Sequence, residues 1–242
     1  MPRPVTRLGE QVFVVVVVAA TIAGASWVIS QGPESFSWYA ARSAGFVAYA
    51  LLSLSVFLGV MTSLRWPVPG LRRPDTRALH GSVSVLAFGF LGIHVAALLA
   101  DAYVPFAPGT ILGVAFSEYR PLAVLAGSVA MWLAVAATVV VAWKSVLGGR
   151  RWRWLHRVGY IAWVLALVHG ITAGTDAGVA AAVVLYAVTG TAMAAALAYR
   201  VLSAQRVAAK PRPAMARVAV TNREEFAAAA PFGRPRRIVK PS

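Results

Sequence analysis

Four histidines, and no others, stand in two pairs inside uncharged apolar stretches: His80 with His94, fourteen residues apart, and His156 with His169, thirteen apart. An imidazole in hydrocarbon costs free energy unless it has a partner, so histidine in such a stretch marks a functional position. At the helical rise of about 1.5 Å per residue, the members of each pair lie about 20 Å apart along the axis. If the two segments run in the same direction, His80 and His156 share one depth, and His94 and His169 another. Each depth then offers two imidazoles, an axial ligand set for a haem iron. Histidine at both axial positions leaves no open site, which favours electron transfer over ligand binding. Zinc takes three or four protein ligands, and each depth offers only two. The plain alternative is that each histidine hydrogen-bonds inside a helix bundle.

The elements that must hold these residues are apolar helices. Of 242 residues 59% are hydrophobic and 13% charged, about half the charge of an ordinary soluble domain. Uncharged runs cover 11–33, 43–64, 78–100, 121–143, 158–175 and 177–199. Each approaches or exceeds the roughly 18 apolar residues that flag a membrane span. The sequence therefore predicts an all-α integral membrane six-helix bundle, with helices near 11–31, 43–64, 78–100, 121–145, 153–174 and 177–201. The first run is longer than a signal-peptide core, and Pro33-Glu34 is a poor cleavage context. Residues 1–10 form a short terminus, 11–203 the helical domain, and 204–242 a basic tail rich in Pro, Ala and Arg, expected to be solvated and disordered. The chain has no cysteine, which excludes disulfides, iron–sulfur clusters and thiolate catalysis.

The net charge of +15 follows topology. Apart from Arg42 and Arg120, the Lys and Arg residues fall in the N-terminus, in 65–77, in 144–157 or after residue 199. These are alternate connections of a six-helix bundle, so the positive-inside rule puts them and both termini in the cytoplasm. The segments 32–42, 101–120 and 174–177, with Glu34, Asp101, Glu118 and Asp176, face outside. Orientation and attraction to anionic lipid account for the charge without nucleic acid. The outer connections read as loops, and Ile111 to Phe116 as a stretch along the membrane surface.

Angular position supports the two helices unequally. On an ideal helix His94 returns to within about 40° of His80, past Ser84, Ala87 and Leu91, two of them small enough to leave room for a flat macrocycle. Thirteen steps instead place His169 about 140° from His156, with Gly170 in the aligned position.

The run Trp154-Leu155-His156-Arg157-Val158-Gly159-Tyr160, followed by His169, resembles the W-x-x-LHR-x-x-Y…H signature of the ferric reductase-like transmembrane domain family, and Arg151-Trp152-Arg153 just before it is also in keeping. Leu79-His80-Gly81 with His94 resembles that family's first haem-ligand helix. Arg42-Ser43-Ala44-Gly45, leading into Leu51 to Ser55, is similar to its second helix. The resemblance covers about 40–203 and implies two b-type haems, His80/His156 on the inner side and His94/His169 on the outer. It also implies electron transfer from a cytoplasmic donor to an outer acceptor across a plasma or inner membrane. Ferric iron, oxygen or a periplasmic reductase partner would be the acceptor. A flavin or nicotinamide domain needs about 100 residues, more than the tail supplies, and the tail carries no Gly-rich phosphate motif. Flavin is then expected on a separate reductase, or quinol is the donor.

Arg42, Arg77 and Arg157 are candidate partners of the haem propionates, with Arg73, Arg153 and Arg120 as further cations within reach of either side. Tyr160 and Trp163 fall on the His156 face, beside or between the haems, or in bundle packing. Asp101, Glu118 and Asp176 would attract a cation at the outer edge or simply end the outer loops. A haem sensor or carrier would need an open axial position. A transporter would show broken helices or intramembrane carboxylates, and the acidic residues here all lie at span ends or in loops.

Overall fold

A backbone in hydrocarbon must satisfy its own hydrogen bonds, and uncharged runs of this length do so as helices. The computed structural model describes residues 20–64 and 72–209, all helices and connections, with no strand among the described residues. The helices are α1 (Ala20–Ser30), α2 (Glu34–Leu64), α3 (Arg73–Leu99), α4 (Pro108–Ile111), α5 (Pro121–Ala142), α6 (Lys144–Leu147), α7 (Arg151–His156), α8 (Val158–Ala173) and α9 (Ala180–Ala209). Five stretches are long and apolar enough to cross a membrane: Ser35–Leu64, Arg73–Leu99, Pro121–Ala142, Arg151–Ala173 and Ala180–Leu202. The predicted first span is described only from Ala20, as α1. The N-terminus and residues 210–242 of the predicted tail lie outside the described residues.

Several boundaries differ from the sequence reading. Segment 32–42 is not a loop: α2 starts at Glu34, directly after Pro33, whose carbonyl accepts the Phe36 N–H at 2.8 Å. Arg42 therefore sits within a helix. Helix α3 begins at Arg73 rather than near 78. Pro74 is tolerated in its first turn, where its missing N–H has no partner to lose, and Asp75 accepts from the Arg72 backbone and side chain. Helix α5 ends at Ala142, and the single turn α6 stops at Gly148, whose φ of +77° suits glycine. Helix α9 runs to Ala209, past the expected boundary at 203. In 111–116, Ile111 is buried, whereas Val114 and Phe116 are 82% and 72% exposed.

The chain divides at Arg200 into two compact units, and the second, 201–242, is described only to 209, as the end of α9. In the first unit, α2 packs along α3 and α5 along α8, with α8 also against α2. Tyr49, Val60 and Met61 of α2 bury against Trp163 of α8 and Ala182, Tyr186, Met193 and Ala196 of α9. A second cluster, Phe106, Ile111 and Val124, closes the end carrying the 101–120 connection. Helices α3 and α8 are not packed against each other at backbone distance. That slot is where the histidines meet.

Candidate functional site

The four histidines form two pairs across the slot. His80 and His156 have ring centres 6.1 Å apart, with ring planes at 85°. His94 and His169 have ring centres 6.3 Å apart, at 78°. The pairing by depth expected from the spacing is the pairing found. His80/His156 lies toward the end where α2 finishes and α3 and α7 begin, the basic end. His94/His169 lies toward the opposite end.

Each imidazole is held by the same device. The His80 Nδ1 contacts the Ser55 carbonyl at 2.8 Å, His94 that of Ala41 at 2.7 Å, His156 that of Ala137 at 2.8 Å, and His169 that of Ala123 at 2.7 Å. A carbonyl oxygen only accepts, so each Nδ1 carries a hydrogen, and Nε2 is the nitrogen left bare when the ring is neutral. A metal-ligating imidazole commonly has this arrangement, with the second nitrogen fixing tautomer and orientation. The acceptors sit fourteen residues apart on α2 and fourteen apart on α5. Helices α2 and α5 thus act as rulers for α3 and α8, which run antiparallel to them.

The thirteen-residue spacing is accommodated by a break. Helix α7 ends at His156, and α8 begins at Val158. Around Arg157 the bonds are of the i to i−3 kind, Arg157 N to Trp154 O at 3.1 Å and Tyr160 N to Arg157 O at 3.0 Å. Such turns wind about 20° more per residue and rise further than α-helix, which brings His169 back toward the slot. The ideal-helix alignment of Gly170 with His156 is therefore corrected: Gly170 faces Tyr186, whose Oη would lie 2.7 Å from any Cβ added there.

The two levels differ in their surroundings. At the basic end Ser55 Oγ approaches His80 Nδ1 at 3.1 Å and pairs with Ser84 Oγ at 2.7 Å. The Trp152 ring lies 6.2 Å from that of His156. Arg157 stacks on Trp154 at 4.3 Å and Arg153 on Trp152 at 5.8 Å, while Arg77 is exposed on the first turns of α3. Arg200, which sequence reasoning passed over, donates to Ser63 Oγ and Tyr160 Oη, both at 2.9 Å. Its only signal was a cation at the end of the last span.

At the opposite end Arg42, Arg120 and Asp101 are engaged with protein. Arg42 forms an ion pair with Asp176 and stacks on Tyr39 at 5.6 Å. Arg120 donates to the Thr172 carbonyl at 2.6 Å, and Tyr119 Oη to the Ala173 carbonyl at 2.9 Å, which caps the last turn of α8 beyond His169. Asp101 is buried and accepts from Ser37 Oγ and from the Tyr103 and Val104 N–H groups at 2.8–2.9 Å. Glu118 is exposed. Among the described residues no three His, Cys, Asp or Glu side chains gather as a metal site. Trp163 lies at mid-depth between the levels and donates from Nε1 to Ser53 Oγ at 2.9 Å.

Compared with protein-family models, with curated proteins and with solved structures, the chain finds no match.

Proposed function

We propose that the chain is a membrane electron-transfer subunit that holds two b-type haems between α3 and α8, of the ferric reductase-like kind that its histidine motifs resemble. The observation that carries this reading is the pairing of imidazoles at 6.1 and 6.3 Å, each with Nδ1 bound to a backbone carbonyl. Two imidazoles held this close on different helices would serve as the ligand pair for one haem iron at each level. The donor set fits as well. Two nitrogens per level do not complete the shell of a bare metal ion, but they do complete that of an iron already held in a tetrapyrrole.

Bound there, the haems supply reversible one-electron redox chemistry at two depths. The chain's own residues do the rest. The four Nδ1–H bonds hold the rings in a ligating tautomer and raise their basicity. Arg77, Arg157 and Arg200 at the basic end provide cations for propionates. Arg42 has its carboxylate in Asp176, and Arg120 has a carbonyl, so the opposite end offers less free positive charge. We orient the basic end to the cytoplasm of a cell membrane and place the donor on a separate flavin reductase or quinol. The acceptor, ferric iron, oxygen or a periplasmic partner, would meet the His94/His169 end.

The experiment is a haem count with a dithionite-reduced optical spectrum on the purified full chain. The expected result is two haems per chain with a b-type spectrum. A chain that takes up no haem would end this reading.

A further inference from the structure

Three of the four backbone acceptors of a histidine Nδ1–H stand four residues before a glycine, which leaves room for the ring to reach them. In an α-helix the carbonyl of residue i already accepts from the N–H of residue i+4. The Cβ of residue i+4 leans toward the helix N-terminus, over that carbonyl's remaining lone pair. A second donor approaching from a neighbouring helix therefore meets this Cβ first. Four residues after Ala41, Ser55 and Ala123 come Gly45, Gly59 and Gly127. These are the only glycines in α2 and α5.

The clearances are graded. A Cβ on Gly127 would lie 2.6 Å from His169 Nδ1 and 2.8 Å from its Cε1. On Gly45 it would lie 3.0 Å from His94 Nδ1, and on Gly59 3.4 Å from His80 Cε1. By contrast, Gly81 and Gly89 of α3 and Gly190 of α9 have open space. Glycine weakens a helix relative to alanine, so its confinement in α2 and α5 to histidine contacts calls for a reason. His156 is the exception. It ends α7 at the break and reaches Ala137 with Val141 at the corresponding position.

We infer that Gly45, Gly59 and Gly127 are positioning residues: the missing Cβ admits the imidazole to a helix carbonyl and so fixes which ring nitrogen is left bare. That this nitrogen then ligates iron rests on the proposed function; the tautomer itself does not.

The test separates the two. In the full chain with 15N-labelled histidine and no added haem, wild type should show His94 and His169 protonated at Nδ1 alone. Gly127→Ala should lose that signature at His169, Gly45→Ala should lose it in part at His94, and Gly59→Ala should change His80 least. Gly89→Ala should match wild type. Loaded with iron protoporphyrin IX, Gly127→Ala should fall from two haems to one, with the basic-end site retained as an internal check on folding. An unchanged His169 tautomer in Gly127→Ala overturns the inference. So does equal loss of both sites in all three variants, which would make the glycines general packing positions. Failure of wild type to load haem, with the tautomers as expected, would instead overturn only the functional reading.

Discussion

The two histidine levels share one construction and differ in what surrounds it. At the opposite end, His94 and His169 rest on backbone carbonyls through the tightest glycine clearances, and the protein spends its nearby charges on itself. At the basic end, His80 has two hydroxyls beside it, His156 has an indole, and the arginines stack on tryptophans or reach hydroxyls. One level is set by shape, the other by a polar and aromatic periphery.

The largest test of this contrast removes a ligand at each level. His94→Ala should reduce the haem count from two to one and abolish reduction of an outer acceptor while leaving the basic-end site reducible. His80→Ala should also leave one haem, at the His94/His169 level, and should cut that haem off from a donor at the basic end. If either variant loses both haems, the levels are not independent.

A smaller effect probes the protein charges at the opposite end. Asp101→Ala strips Ser37 Oγ and two backbone N–H groups of their acceptor. Leaving the two N–H groups without this acceptor should cost about 2 kcal/mol. The loss should be read as a lowered Tm in detergent, with the optical features of the basic-end site unchanged. A Tm equal to wild type would show that the cap carries no weight.

The smallest effect is electronic. Ser55→Ala keeps the carbonyl acceptor and removes the hydroxyl 3.1 Å from His80 Nδ1. Losing one acceptor lowers ligand basicity, which should raise the reduction potential of the basic-end site slightly. A redox titration resolving both sites should find the other unmoved, and an equal shift at both would dissolve the contrast.

Much of the site was legible in the residues because its key variable is axial distance, which sequence counts directly. His80 to His94 and His156 to His169 give depth by multiplication. Rotation was less legible. The ideal-helix reading failed at His169 because it cannot foresee that Arg157 interrupts the helix with tighter turns. The start of α2 was missed because Ser35 to Arg42 is polar enough to read as a loop, although Pro33 marks a helix start. The carbonyl acceptors carry no side-chain signature at all. A signal did exist one step removed, in Gly45 and Gly59, which repeat the fourteen-residue spacing of the histidines they face.

The backbone acceptors have a consequence for anyone who would move this site elsewhere. A carboxylate or hydroxyl partner has to be chosen, placed in a rotamer and kept neutral or charged as required. A helix carbonyl comes with every residue and cannot be deleted by a codon change. Transplanting the His94/His169 level into a designed bundle therefore needs two inward histidines on parallel helices, antiparallel neighbours in register, and bare positions four residues past each contact. The specification is written mostly in spacing, with glycine as its one punctuation mark.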